Sequence, residues 1–121
     1  MVNRLSKKAL QQLLSGQVKM EATCIVKFYA NKCPYCHFLK KPYKEMIDEE
    51  YEHSGLHFFA FNIQDYPQVE KVVGFDGVPT IALIKTGGNQ PRIRVLKNPE
   101  KPDKRTYYHI EDIKDFINKE K

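Results

Sequence analysis

Two hydrophobic periodicities alternate along the chain. Thr23-Cys24-Ile25-Val26-Lys27-Phe28-Tyr29 is β-branched, aromatic and almost continuously apolar, as expected of a strand covered on both faces. His57 to Ile63 repeats that character, and Thr80 to Lys85 is a third such strand. Between them, apolar residues fall at helical spacing. Ala9, Leu10, Leu13 and Leu14 follow a capping Ser6 and precede Gly16. Leu39, Tyr43, Met46 and Ile47 mark a helix from Pro34 to about Tyr51, broken by His53-Ser54-Gly55. Ile110, Ile113, Phe116 and Ile117 share one face of a last helix, Ile110 to Lys119, with acids near its start and lysines at its end.

Shorter signals complete the order. Val2 to Leu5 can form a short strand, and Pro67 to Val73 a short helix with proline in its first turn and Gly74 after its end. Gly87-Gly88-Asn89 reads as a hairpin turn leading to Arg92 to Leu96, whose polarity alternates as on a sheet edge. Pro42 should kink the second helix, because its ring removes a backbone hydrogen bond. The order αβαβαββα predicts an α/β fold. It implies a central mixed β-sheet of four to five strands, helices on both faces and one crossover before the hairpin.

A length of 121 residues with 41% hydrophobic content suits a single domain, 1–121, able to bury a core without staples. Three cysteines leave one thiol over, which speaks against a secreted disulfide framework and for a reducing, cytoplasmic setting. No stretch has the apolar length of a membrane span or a signal peptide. The net charge is +5, and lysines and arginines gather in Lys97 to Arg105, but this segment also holds Glu100, Asp103 and two prolines and reads as a solvated loop. Without a basic and aromatic interleave, nucleic-acid binding is not expected.

The candidate chemistry lies at Cys33-Pro34-Tyr35-Cys36, directly after the first buried strand and at the start of a helix. Two thiols so spaced can close a small ring, and the unpaired N–H groups of a helix N-terminus favour the thiolate of the first. The residues also admit half a zinc site, although no second pair exists, and, with His37 adjacent, a covalent haem attachment pattern. Cys24, mid-strand, reads as a small buried hydrophobe, and Phe58, Phe59 and Phe61 as core.

Phe28-Tyr29-Ala30-Asn31-Lys32-Cys33-Pro34-Tyr35-Cys36 resembles the active-site segment of the thioredoxin superfamily. Phe61-Asn62-Ile63-Gln64-Asp65 is similar to that superfamily's second long strand and turn, and Val73 to Thr80 to its cis-proline loop. The resemblance implies a thioredoxin fold and a thiol–disulfide oxidoreductase acting on protein disulfides, with no bound cofactor. It makes Cys33 the nucleophile and Cys36 the resolving thiol of a redox-active disulfide. Lys32, Pro34, Tyr35, Val78, Pro79 (expected cis) and Thr80 would form the substrate surface. A thioredoxin-reductase-like enzyme or glutathione would supply electrons, and a monomer is the expected state.

The departures are equally specific. The Pro34-Tyr35 spacer is the glutaredoxin type, whereas Gly77-Val78-Pro79-Thr80 is the thioredoxin version of its loop, so glutathione binding does not follow. Lys27 stands where thioredoxins place a buried acid, and Ala60 where that acid's lysine partner would be. An unpaired buried lysine is costly, so its ammonium is expected to reach solvent or a carboxylate. Other readings of the same frame are a disulfide-isomerase-type domain, an iron–sulfur carrier, and a binding or assembly module that uses this surface without turnover.

Overall fold

The computed structural model describes all residues, 1–121. β1 (Val2–Arg4), β2 (Thr23–Tyr29), β3 (His57–Asn62), β4 (Thr80–Lys85) and β5 (Arg92–Val95) form one sheet in the order β1-β3-β2-β4-β5. The first three run parallel to one another, β4 runs antiparallel to β2, and β5 antiparallel to β4. Four helices flank it: α1 (Lys7–Leu14), α2 (Pro34–Met46), α3 (Val69–Val73) and α4 (Ile110–Glu120). This is the mixed, helix-covered sheet that the residue pattern predicts.

Side chains of successive strand residues divide between two cores. Ile25, Phe58, Ile81 and Leu83 pack with Leu39 and Tyr43 of α2 and Ile113 and Ile117 of α4. Val26, Phe28, Phe61 and Ile84 pack on the opposite side with Leu10 and Leu13 of α1 and Val69 of α3. Each such side chain contributes about 1.5–3 kcal/mol on burial, so both faces of β2 are firmly held. β2 has neighbours on both edges as well, Lys27 pairing with Ala60 and with Ile81. Its carboxyl end is therefore a rigid platform for whatever follows.

Several boundaries differ from expectation. The chain crosses between parallel strands twice, through α1 and through α2, because β1 pairs only with β3 on its far edge. The pattern alone suggested one crossover. α3 begins at Val69, since Pro67 and Gln68 form a turn in which Val69 N–H donates to Tyr66 O at 3.0 Å. β3 ends at Asn62, whose side chain caps a 3₁₀ turn at Ile63–Asp65. Pro42 lies within α2, which runs on to Met46 and then widens into a π turn at Ile47–Tyr51. Phe38 O, left without its helical donor by Pro42, belongs to an exposed residue where water can serve. In the β4–β5 connection, Gly87 (φ 105°) cannot carry a side chain, because a Cβ there would lie 2.6 Å from Glu21 Cγ. No helix is long and apolar enough to cross a membrane.

Candidate functional site

β2 delivers the chain to residues 30–33, and α2 begins at Pro34, a first-turn position where the missing N–H is not needed. Cys33 is the extended N-cap residue, and its Sγ accepts a hydrogen bond from Cys36 N–H at 3.1 Å. Cys33 and Cys36 form a disulfide with Cα atoms 5.2 Å apart. Cys36 is buried and Cys33 half-buried, so the sulfur nearer the helix terminus is also the more accessible.

The loop before β4 reaches this sulfur from another part of the chain. Phe28 pairs with Thr80, which sets the Gly77–Thr80 turn beside the end of β2. The Val78–Pro79 peptide is cis, and Val78 O lies 3.7 Å from Cys33 Sγ, where the thiol of the reduced form can donate to it. Thr80 Oγ1 donates to Gly77 O at 2.7 Å and closes the turn, and Gly77 takes a φ of 86° that favours glycine. Lys32 and Pro34 are exposed at the rim, Tyr35 and Val78 half-buried, Pro79 and Thr80 buried.

A polar relay braces the active-site loop from the other side. Asn62 Nδ2 donates to Asn31 Oδ1 at 2.9 Å, Asn31 N–H to Gln64 Oε1 at 3.2 Å, and Gln64 N–H to Asn62 Oδ1 at 3.0 Å. These amides were not singled out in the sequence. Asn62 and Gln64 do stand where an apolar strand turns polar, which is the signal they offered.

Lys27 departs from expectation. It finds no carboxylate and is only 6% exposed. Its Nζ lies 5.1 Å from the centroid of the Tyr43 ring, whose π face partly offsets the lost hydration. Burial, and then the like charge of Lys40, lower its pKa to about 8. The physical reason is the local register: β2 sends Lys27 to the α2 face opposite Ala60, where no acid is available. Tyr43 Oη beneath it is buried without a partner, and burial pushes its pKa up.

The segment Lys97 to Arg105 is not merely solvated. Tyr35 Oη donates to Asp103 O at 2.6 Å, the Tyr35 and Tyr107 rings lie 5.2 Å apart, and the Arg105 guanidinium sits 5.7 Å from the Phe38 ring centroid. Asn98 Nδ2 donates to Asp76 O at 3.3 Å, joining the segment to the loop that precedes Val78. Tyr107 thus packs against the active-site spacer, while Tyr108 is core. Gly87-Gly88 lies in the β4–β5 connection, outside this site.

The thioredoxin family profile matches residues 2–116. Among curated protein sequences none matches the chain. Solved structures share its fold. The thioredoxin of Trichomonas vaginalis superposes with a TM-score of 0.66 at 18% identity, covering 99% of this chain and 97% of that one. The thioredoxin Mala s 13 of Malassezia sympodialis gives 0.66 at 17% identity, covering 98% and 91%. Chloroplastic thioredoxin z gives 0.64 at 17% identity, covering 98% and 92%.

Proposed function

The chain belongs to the thioredoxin family, and from that premise we propose that it is a thiol–disulfide oxidoreductase acting on protein disulfides. The observation that carries this reading is the Cys33–Cys36 disulfide at the N-terminus of α2, with Cys33 Sγ against Val78 O. In the dithiol, the Cys33 thiolate is favoured by the Cys36 N–H and the helix terminus. It attacks one sulfur of a substrate disulfide, forming a mixed disulfide and releasing the other sulfur as a thiolate, which takes up a proton. Cys36, as thiolate, then attacks Cys33 Sγ, closes the intramolecular disulfide and releases the second substrate thiol.

The half-buried Val78 edge and exposed Lys32 and Pro34 offer an extended peptide a short strand to lie along. The substrate leaves with two electrons and two protons more than it brought, which the protein has lost. A thioredoxin-reductase-type enzyme or glutathione returns them. A reducing, cytoplasmic setting belongs to the same proposal, supported by the odd thiol count. The test is catalysis of insulin reduction by dithiothreitol. Wild type should accelerate it, Cys33→Ser should abolish the acceleration, and Cys36→Ser should accumulate the mixed disulfide. Equal rates with and without the protein would defeat the reading.

A further inference from the structure

Beside the disulfide, on the α2 face of the sheet, a pocket of about 290 Å³ is lined by Lys27, His37 and Lys40 together with Cys33, Cys36 and Ala60. No aspartate or glutamate lines it. The contrast along α2 is instructive. Lys41 lies 3.9 Å from Glu45 and Lys44 3.1 Å from Asp48, each one turn on, whereas Lys40 has no acid at that spacing and turns to the pocket instead. Lys27 is more than nine-tenths buried, contributes to the pocket wall, and has no carboxylate partner. Its lowered pKa, about 8, still leaves it charged at neutral pH, and reflects the burial and the like charge of Lys40 that an anion would relieve.

The space itself is small. Ligand pockets usually span roughly 300–1,000 Å³, so this one has room for an acidic group on a short arm rather than for an entire ligand. Ala60 leaves the room open, since its methyl group stops short of the volume a longer side chain would take. Cys33 lies between this pocket and Val78, so a disulfide presented to Cys33 holds its neighbouring groups within reach of both.

We propose that this pocket is an anion subsite which receives a carboxylate carried close to the attacked sulfur, making acid-flanked disulfides the preferred substrates. The proposal rests on the oxidoreductase reading above and adds the substrate class. The bonds exchanged are unchanged: Cys33 displaces one thiolate of the carboxylated disulfide, and Cys36 the second. The pocket contributes attraction and orientation before the first exchange, through the buried charge of Lys27 and the exposed one of Lys40.

The test compares a dicarboxylate aromatic disulfide, 5,5′-dithiobis(2-nitrobenzoate), with the neutral 4,4′-dithiodipyridine. Each rate is divided by that of dithiothreitol with the same reagent. At low ionic strength the reduced protein should favour the dicarboxylate by about tenfold on this scale, falling severalfold in ~0.5 M salt as the charges are screened. Lys27→Met and Lys40→Gln should each remove most of the preference, while Lys119→Gln, which removes the same formal charge outside the pocket, should keep it. A Glu-flanked peptide disulfide read against its Gln-flanked twin separates the sources. Preference there points to a protein segment, and preference confined to the small reagent points to a free carboxylated disulfide.

No preference in either pair overturns the proposal, as does a loss no greater in Lys27→Met and Lys40→Gln than in Lys119→Gln. The oxidoreductase reading fails separately. Release of one equivalent of chromophore instead of two would show that Cys36 does not resolve the mixed disulfide, whatever the charge preference of the first equivalent.

Discussion

Tyr35 donates its phenolic hydrogen to the main-chain oxygen of Asp103 at 2.6 Å, across a sequence separation of 68 residues. The spacer of the redox pair thereby holds the charged segment Lys97 to Arg105 against the active-site helix. Tyr35→Phe keeps the ring packed against Tyr107 and removes only this bond, worth about 1 kcal/mol. Local opening of the segment should rise about fivefold, read as faster tryptic cleavage after Lys104 or Arg105 at unchanged global stability. An unaltered cleavage rate would show that the bond does not hold the segment.

Lys27 gives a pH signature. Its folded-state pKa, about 8, lies below the ordinary lysine value, so protonation is penalised in the folded state. Below pH 8 the penalty is fully present. Between pH 8 and the unfolded value near 10.5 the unfolded chain holds a proton that the folded one has released, so stability rises with pH. Lys27→Met should therefore be more stable than wild type at pH 7, by about 1–3 kcal/mol, and the gap should narrow towards pH 10.5. Denaturant unfolding at pH 7 and pH 10 measures both. A destabilised variant at pH 7, or a gap independent of pH, contradicts the buried, unpartnered placement.

The same cations bear on redox poise. Lys27 and Lys40 line the pocket beside the sulfurs with no acid among its walls, which favours thiolates and so the dithiol. Together with the Pro34-Tyr35 spacer, this places the expected potential above the about −270 mV of thioredoxin and towards the roughly −200 to −230 mV of glutaredoxins. Equilibration in glutathione buffers gives the value directly. One at or below about −270 mV would remove this account of the spacer, and Lys27→Met should shift the potential downward.

Thr80 is the clasp of the loop facing Cys33, buried and donating to Gly77 O. Thr80→Val keeps the shape and loses the bond, costing about 1–3 kcal/mol, while Thr80→Ser should retain most of it. Thermal unfolding orders the three proteins, and insulin reduction should slow in the valine variant through loosening of the Val78 edge. Equal melting of Val and Thr proteins would assign the clasp to other contacts.

The fold was legible because its signals are local: an apolar run gives β2, a proline after Cys33 starts α2, and glycine and proline punctuate the loop before β4. Cys33 and Cys36 could be placed from the same runs, and Pro79 beside them from the family resemblance of its loop. Lys27 could not, since β2 alone does not say whether an acid on the facing helix reaches it, and Glu45 of α2 pairs with Lys41 instead. Nor could the docking of Asp103 on Tyr35, because a charged, proline-containing stretch has the same composition whether it floats or packs. The amides of Asn31, Asn62 and Gln64 were obscure for a related reason: each is ordinary in its own segment and meets the others only when β2 and β3 align.

Cys24 sits near the amino end of β2, 3% exposed in the core on the α1 and α3 side, whereas Cys33 lies beyond the other end of that strand. Burial raises its pKa, so it is neither reachable nor ionised under conditions that titrate the pair. A chain with an odd number of thiols thus behaves as though it had an even one. The native oxidised protein should count as thiol-free to an alkylating reagent and reveal one thiol only on unfolding. In the folded protein, repeated cycling at Cys33 and Cys36 has no third sulfur with which to scramble.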